Sequence, residues 1–181
     1  MLGMQDPKPT VSHIEQAIRN IPDFPKPGIQ FKDITPVLAD PALFSRCIDM
    51  LCDGYTAQDV DTVVGIDARG FIFAAAVAYK LQAGFVPVRK KGKLPYSTLE
   101  QEYDLEYGTN TIAIHTDALK PGSRVLLIDD LLATGGTAAA SADLVRKIGA
   151  RILAINFVIE LSFLNGREKL KDFPVQSLVV Y

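Results

Sequence analysis

Apolar positions along the chain fall into short uninterrupted runs separated by amphipathic stretches, and that alternation sets the expected elements. Thr62–Ile66, Phe85–Val88, Leu126–Ile128 and Arg151–Ile159 are rich in aliphatic residues and lack the polar alternation of a half-exposed strand, so they predict strands buried on both faces of a parallel sheet. Thr111–His115 predicts a further strand and Gln176–Val180 an edge strand. Phe71–Leu81 and Ala138–Ile148 predict the helices between them. The fold class that follows is α/β, a mostly parallel sheet flanked by helices, with ligands bound at the carboxyl ends of strands.

The first part of the chain is different. Residues 1–10 predict a loose tail. Ser12 and Glu15 have capping-box spacing for a helix to about Asn20, with Ile14, Ala17, Ile18 and Ile21 on one face. Pro22–Pro36 contains four prolines and predicts an extended, rigid segment. Asp40 and Pro41 suit the cap and first turn of a second helix reaching about Asp53, on which Cys47 falls in phase with Leu43, Phe44, Ile48 and Leu51 as a core thiol. At 181 residues the whole reads as one domain, with residues 1–36 as an N-terminal helix and hood.

Chemistry concentrates where strands end. Val125–Thr137 reads VLLIDDLLATGGT: a buried strand, two adjacent acids, then a small-residue loop opening onto an alanine-rich helix. Successive backbone N–H groups of Ala133, Thr134, Gly135, Gly136 and Thr137, with the positive end of the following helix, suit a phosphate monoester; Thr134 and Thr137 add hydroxyls. Asp129 and Asp130 can accept from vicinal hydroxyls or metal-bound water. A ribose 5-phosphate fits this layout. Either half alone is also what a solvated strand end or a plain turn looks like; their combination is far more specific. No Gly-Lys-Ser/Thr follows, which excludes a Walker loop, and GxGxxG is absent.

A second strand end, Gly65–Phe71, turns tightly into a helix with Arg69 at the turn, suited to bidentate phosphate contact, although a capped helix start with a surface arginine has the same pattern. The third stretch is Arg89–Gly108. Arg89, Lys90, Lys91 and Lys93 concentrate positive charge, and Glu100, Glu102, Asp104 and Glu106 recur at period two, sharing one face of an extended strand. The pattern predicts a mobile lid hairpin over about residues 89–108, with a turn at Leu94–Thr98 between a basic and an acidic arm. A solvated charged hairpin without a role fits it equally.

Taken together, these motifs resemble the phosphoribosyl diphosphate (PRPP) signature of the type I phosphoribosyltransferases, and DDLLATGGT resembles their adenine-specific branch. The resemblance runs from about Ile21 to Tyr181. It implies transfer of a phosphoribosyl group from PRPP to N9 of adenine, giving AMP and pyrophosphate, with Mg²⁺ as cofactor. It implies that Asp67, Ala68 and Arg69 bind the pyrophosphate part of PRPP, Arg69 also touching the base edge, although Asp67 and Ala68 stand where the family often has Glu or Ser. It assigns Arg89, Lys90 and Lys93 to the same diphosphate. Glu106 corresponds to the proposed acid/base carboxylate and Tyr107 to a gating neighbour. Phe31 is expected to stack on the purine, backbone around Gln30 and Lys32 to read its edge, and Leu161 to lie on the opposite face; without the resemblance, Phe31 and Leu161 read as core. A homodimer is implied, with Arg89 as the candidate residue reaching a partner's site.

A net charge of −2 argues against general nucleic-acid binding. The longest apolar run, Phe71–Tyr79, is too short to span a bilayer, and acid and prolines stand at the start where a signal peptide needs an apolar stretch, so the expected location is the cytoplasm. His13 and His115 lack metal-pair spacing and are expected at the surface. Two rivals remain: a transferase for hypoxanthine, guanine or xanthine, and a PRPP-sensing regulator that binds nucleic acid. Five Lys and Arg against eight Asp and Glu before Asp61, with no helix-turn-helix pattern, weigh against the regulator.

Overall fold

Val125, Leu126, Leu127 and Ile128 have no exposed surface, so this strand needs neighbours on both edges and both faces. The computed structural model describes residues 8–104 and 108–181, and the chain divides into two units, residues 1–50 and 51–181. The first unit carries α1 (Val11–Ala17), an antiparallel ribbon of β1 (Arg19–Pro22) and β2 (Gln30–Asp33), a short helix α2 (Thr35–Ala39) and all but the last residue of α3 (Pro41–Leu51). Asp40 caps α3 as expected: its carboxylate accepts from the Ala42 and Leu43 N–H groups at 2.9 and 3.0 Å. The start of α1 differs from expectation. Thr10 is the cap, and the His13 ring accepts the Thr10 N–H at 3.1 Å, so the box sits two residues earlier than Ser12–Glu15. The helix also ends at Ala17, because Arg19–Pro22 pairs with Gln30–Asp33 instead of continuing it.

The second unit is a seven-stranded sheet. Its strands are β3 (Thr62–Ile66), β4 (Gly84–Lys90), β5 (Thr98–Asp104), β6 (Thr109–His115), β7 (Arg124–Leu132), β8 (Arg151–Glu160) and β9 (Val175–Val180), in the order β5-β6-β4-β3-β7-β8-β9. The five from β4 to β9 in that order run parallel, which is why their apolar runs are continuous. Helices α4 (Gly70–Leu81) and α5 (Gly136–Lys147) follow β3 and β7. Core residues of this unit include Val64, Ile66, Leu127, Leu144 and Phe157, and each fully buried aliphatic side chain stabilises by about 2 kcal/mol. Cys47 and Cys52 are both buried, and burial pushes Cys47 up to about 11, so it is an inert core group.

Two expectations about the strands need correction. Strand β7 runs through Leu132, so Asp129 and Asp130 lie within it and not after it. The basic and acidic arms of residues 89–108 do not pair with each other, because β6 lies between them. It pairs antiparallel with β4 (Arg89 opposite Ala113) and with β5 (Glu100 opposite Ala113). The link from β5 to β6 is shorter than the one from β4 to β5, and the shorter loop closes at lower entropic cost. The period-two pattern itself holds: Glu100, Glu102 and Asp104 are exposed while Gln101 and Tyr103 are half-buried. A cross-arm contact is nevertheless present among the described residues, Lys91 Nζ to Glu100 at 2.6 Å.

The parallel pair β3–β7 is tied at its start by Asp61, whose carboxylate accepts from the Arg124 backbone N–H at 2.7 Å and from its guanidinium at 2.8 and 3.1 Å. Hydrogen bonds from that side chain, then from that N–H, lower the Asp61 pKa to about 2. A depressed folded value contributes stability above the unfolded pKa, about 4, and loses it as pH falls through about 2. Asp61→Asn should therefore lower Tm near neutral pH, and thermal melts should show the gap to wild type closing as the pH drops from about 4 towards 2. A gap that stays constant across that interval would mean the contact is not acting as an ion pair.

Candidate active site

At the carboxyl end of β3, Asp67, Ala68 and Arg69 form a tight turn into α4, with a cis peptide between Asp67 and Ala68. The turn lies against β7. A Cβ on Gly70 would stand 2.6 Å from Asp129 Oδ1 and 3.1 Å from its Cα, so only glycine admits the helix start here. The amino end of α4 thus meets a carboxylate, where its dipole favours negative charge. Arg69 Nε lies 2.8 Å from Asp130 Oδ2, and Asp129 Oδ1 accepts the Asp130 N–H at 2.9 Å. Burial, and then the charge of Asp130, hold the Asp129 carboxyl well above the ordinary value. Burial also raises Asp130, 5% exposed, against the opposing pull of Arg69. One guanidinium does not balance two carboxylates.

The small-residue loop continues directly from these acids. Gly135 takes φ +77°, a left-handed conformation that side chains disfavour, and caps α5. Its backbone touches that of Gly166: a Cβ on Gly135 would collide with the Gly166 carbonyl oxygen, and one on Gly166 with the Ala133 carbonyl oxygen. Gly166 is held in turn. Its neighbour Arg167 donates two 2.7 Å bonds to Glu160, the buried last residue of β8, which also accepts from Ser177 at 2.6 Å. Leu161, half-buried, follows β8 and donates its N–H to the Leu132 carbonyl at 2.9 Å. Residues Leu131–Ala138, with Asp129, line a cavity of about 70 Å³ into which a phosphate-sized group fits. The first turn of α5 leaves N–H groups without intrahelical acceptors, which suits an anion.

A larger cavity of about 300 Å³ adjoins it through Asp129 and Thr137, and brings together Asp67, Ala68, Arg69, Lys90 and Asp130. Arg89 is beside this group, not on its wall: its Nε donates to Asp67 at 3.0 Å and its Nη1 to the Lys93 carbonyl at 3.3 Å. Gln30, Phe31 and Lys32 lie on β2 of the first unit, where Phe31 is half-buried and packs edge-on against Phe24 at 5.2 Å between centroids. Glu106 and Tyr107 lie outside the described residues. No cluster of three metal-ligating side chains occurs among the described residues.

A family model described as a phosphoribosyl transferase domain matches residues 34–178. An adenine phosphoribosyltransferase of Chloroflexus aurantiacus is 56% identical over 172 residues, 95% of this chain and 99% of its own. The chain belongs to the adenine phosphoribosyltransferase family. Among solved members, the Rhodothermus marinus enzyme superposes with a TM-score of 0.90 at 52% identity, covering 94% of this chain and 98% of its own. The Saccharomyces cerevisiae enzyme, solved with an imino-altritol bisphosphate and adenine, gives 0.86 at 40% identity, covering 93% and 97%. The type I phosphoribosyltransferase fold expected from the motifs is therefore the observed one.

Sequence reading passed over three features that the structure ties to this candidate site. Gly166 belongs to none of the motifs read from the sequence. The Glu160–Arg167 pair offered no sequence signal, and Tyr103, which lines the larger cavity, read only as one residue of an alternating strand. The raised Asp129 proton affinity has a direct consequence. A carboxyl whose folded pKa is raised stabilises fully below its unfolded pKa, and that stability is lost as pH rises through the folded value. Ionised Asp129 therefore destabilises the ligand-free protein. Asp129→Asn, which keeps the Oδ1 acceptor, should raise the ligand-free Tm by about 3 °C where the acid is ionised, with the gain shrinking as pH falls through the folded value and gone below about 4. A lower Tm in calorimetry near neutral pH would contradict this account.

Proposed function

We propose that the chain transfers the phosphoribosyl group of PRPP to N9 of adenine, forming AMP and pyrophosphate, and that residues 1–181 act as one catalytic domain. The observation that carries this reading is the continuity of Asp129 and Asp130 with the glycine loop: two under-neutralised carboxylates adjoin a phosphate-sized cavity. In this reading Asp129 and Asp130 accept from the ribose 2- and 3-hydroxyls, and Ala133–Thr137 enclose the 5-phosphate. Asp67–Ala68 backbone, Arg69 and the Arg89, Lys90 and Lys93 cluster hold the diphosphate. Gln30, Phe31, Lys32 and Leu161 are assigned to the adenine, and the chain to the cytoplasm and to a homodimer.

Mg²⁺ fits this donor set. Two carboxylates without a third ligand suit an ion held mainly by substrate phosphates and water, and the charge left uncancelled by Arg69 favours a cation nearby. When bound, the ion would neutralise diphosphate charge. The residues themselves supply orientation and leaving-group stabilisation. N9 attacks C1 of the ribose as the bond from C1 to the pyrophosphate oxygen breaks. The transient sugar is oxocarbenium-like and water would trap it, so a covering hairpin serves the chemistry. Glu106 is the proposed acceptor of the proton that N9 loses.

Parallel assays with adenine, hypoxanthine and guanine, PRPP and Mg²⁺ should give nucleotide from adenine alone, and none with EDTA; an oxopurine product would move the chain to the rival specificity, and PRPP binding without product to a sensor. Glu106→Gln should lower kcat by about 10²-fold or more with little change in affinity, whereas near-normal turnover would sink proton transfer. Gly166→Ala should weaken PRPP binding about tenfold while leaving the KM for adenine nearly unchanged, because the added methyl pushes on the phosphate loop and on nothing assigned to the base.

A further inference from the structure

Tyr103 sits on β5, between the acids of the charged stretch, and its hydroxyl meets the phosphate loop. Thr137 Oγ1 donates to it at 3.0 Å, and Asn110 Nδ2 on β6 donates to it at 3.3 Å. Its ring packs on the loop as well: a Cβ on Gly136 would stand 3.1 Å from Tyr103 Cδ2. Thr137 lines both the phosphate-sized cavity and the larger one, and Tyr103 lines the larger. The other tie between this hairpin and α5 is at the far end of the helix, Lys147 Nζ to Gln101 Oε1 at 2.6 Å. The Tyr103 end reaches the loop.

We propose that Tyr103 is a positioning residue that couples occupancy of the 5-phosphate loop to the β5–β6 hairpin, through the hydrogen-bond chain from Asn110 to Tyr103 to Thr137. This rests on the reading of that loop as the 5-phosphate site. A phosphate dianion only accepts, and a hydroxyl has one proton to give. Once the anion sits in the loop, the Thr137 proton turns to it, and Thr137 Oγ1 becomes the acceptor for the Tyr103 proton. The Tyr103 oxygen still accepts from Asn110, whose amide nitrogen can only donate. Every donor in the chain then points towards the anion, and each bond polarises the next. Binding thus reverses the bond between Thr137 and Tyr103 and strengthens the attachment of β5 and β6 to the loop.

Tyr103→Phe removes the hydroxyl and keeps the ring. Ribose 5-phosphate binding by calorimetry, steady-state kinetics and amide hydrogen exchange of residues 109–115 would be measured for wild type, Tyr103→Phe, Thr137→Val and the double variant. Tyr103→Phe is expected to weaken ribose 5-phosphate and raise the KM for PRPP about fivefold, with the KM for adenine unchanged. Ligand-induced slowing of exchange in β6 should be lost, and in the Thr137→Val background Tyr103→Phe should have no further effect. Asn110→Leu, which removes the second donor without touching the loop, should weaken ribose 5-phosphate in the same direction. Wild-type affinity and wild-type protection in Tyr103→Phe would overturn the coupling, as would equal losses in both Thr137 backgrounds. If wild type itself bound neither ribose 5-phosphate nor PRPP, the reading of the loop would fail first.

Discussion

Two carboxylates on consecutive residues of one buried strand, with a single guanidinium against them, impose the condition that the surrounding structure meets. Taking a charge out of water is expensive unless it is paired, and here the pairing is incomplete. Asp130 has Arg69 at 2.8 Å, whereas Asp129 has a backbone N–H and the amino end of α4. The raised proton affinity of both acids is the signature of that deficit. A polyol with its hydroxyl donors and a cation associated with a diphosphate are what would complete it. The ligand-free protein is therefore held away from its own stability optimum at the position where substrate recognition needs unsolvated acceptors.

Close backbone approach is the means by which the fold tolerates this. Gly70 lets a helix start rest on Asp129, and Gly135 with Gly166 lets two loops touch main chain to main chain. The second contact is anchored from behind by Glu160 and Arg167, whose bidentate pair, strengthened by Ser177, ties the segment after β8 to β9. Arg167 donating to Glu160 lowers that carboxyl below its usual range, the reverse of what happens at Asp129. The two acids differ by what faces them: Glu160 meets a forked donor at 2.7 Å on both oxygens, and Asp129 meets another acid. One pair is structural and closed; the other is open to a ligand.

What was legible in the sequence follows from how locally each feature is encoded. Thr62–Ile66 and the Val125–Thr137 motif could be read because burial, acid pair and glycine loop are contiguous, and each carries its own physical signature. Helix caps were readable at Asp40 and misread at Ser12, because Thr10 and a histidine acceptor served in place of the usual Ser and Glu. The pairing of the lid arms could not be read. Charge alternation correctly gave the exposed face of β5 but says nothing of its neighbour, and β6 has no charge pattern to declare itself. Gly166 and Tyr103 were silent for the same reason, since their partners lie far off in sequence.

The same distinction bears on how a chain of net charge −2 receives a polyanion. Three of the cations in this region rest on resident carboxylates: Arg69 on Asp130, Arg89 on Asp67, and Lys91 on Glu100. These pairs give up some attraction for the incoming diphosphate, because an anion must share each cation with a resident acid. What they supply is position. An unpaired arginine or lysine on a surface turn samples many rotamers, and ordering it at the moment of binding carries an entropic penalty that these pairs have already met. Charge on a departing diphosphate grows only as its bond to the sugar breaks, so cations fixed in place beforehand favour the transition state over the ground state. The modest net charge is thus compatible with strong local electrostatics, provided that the acids which mask the cations also hold them still.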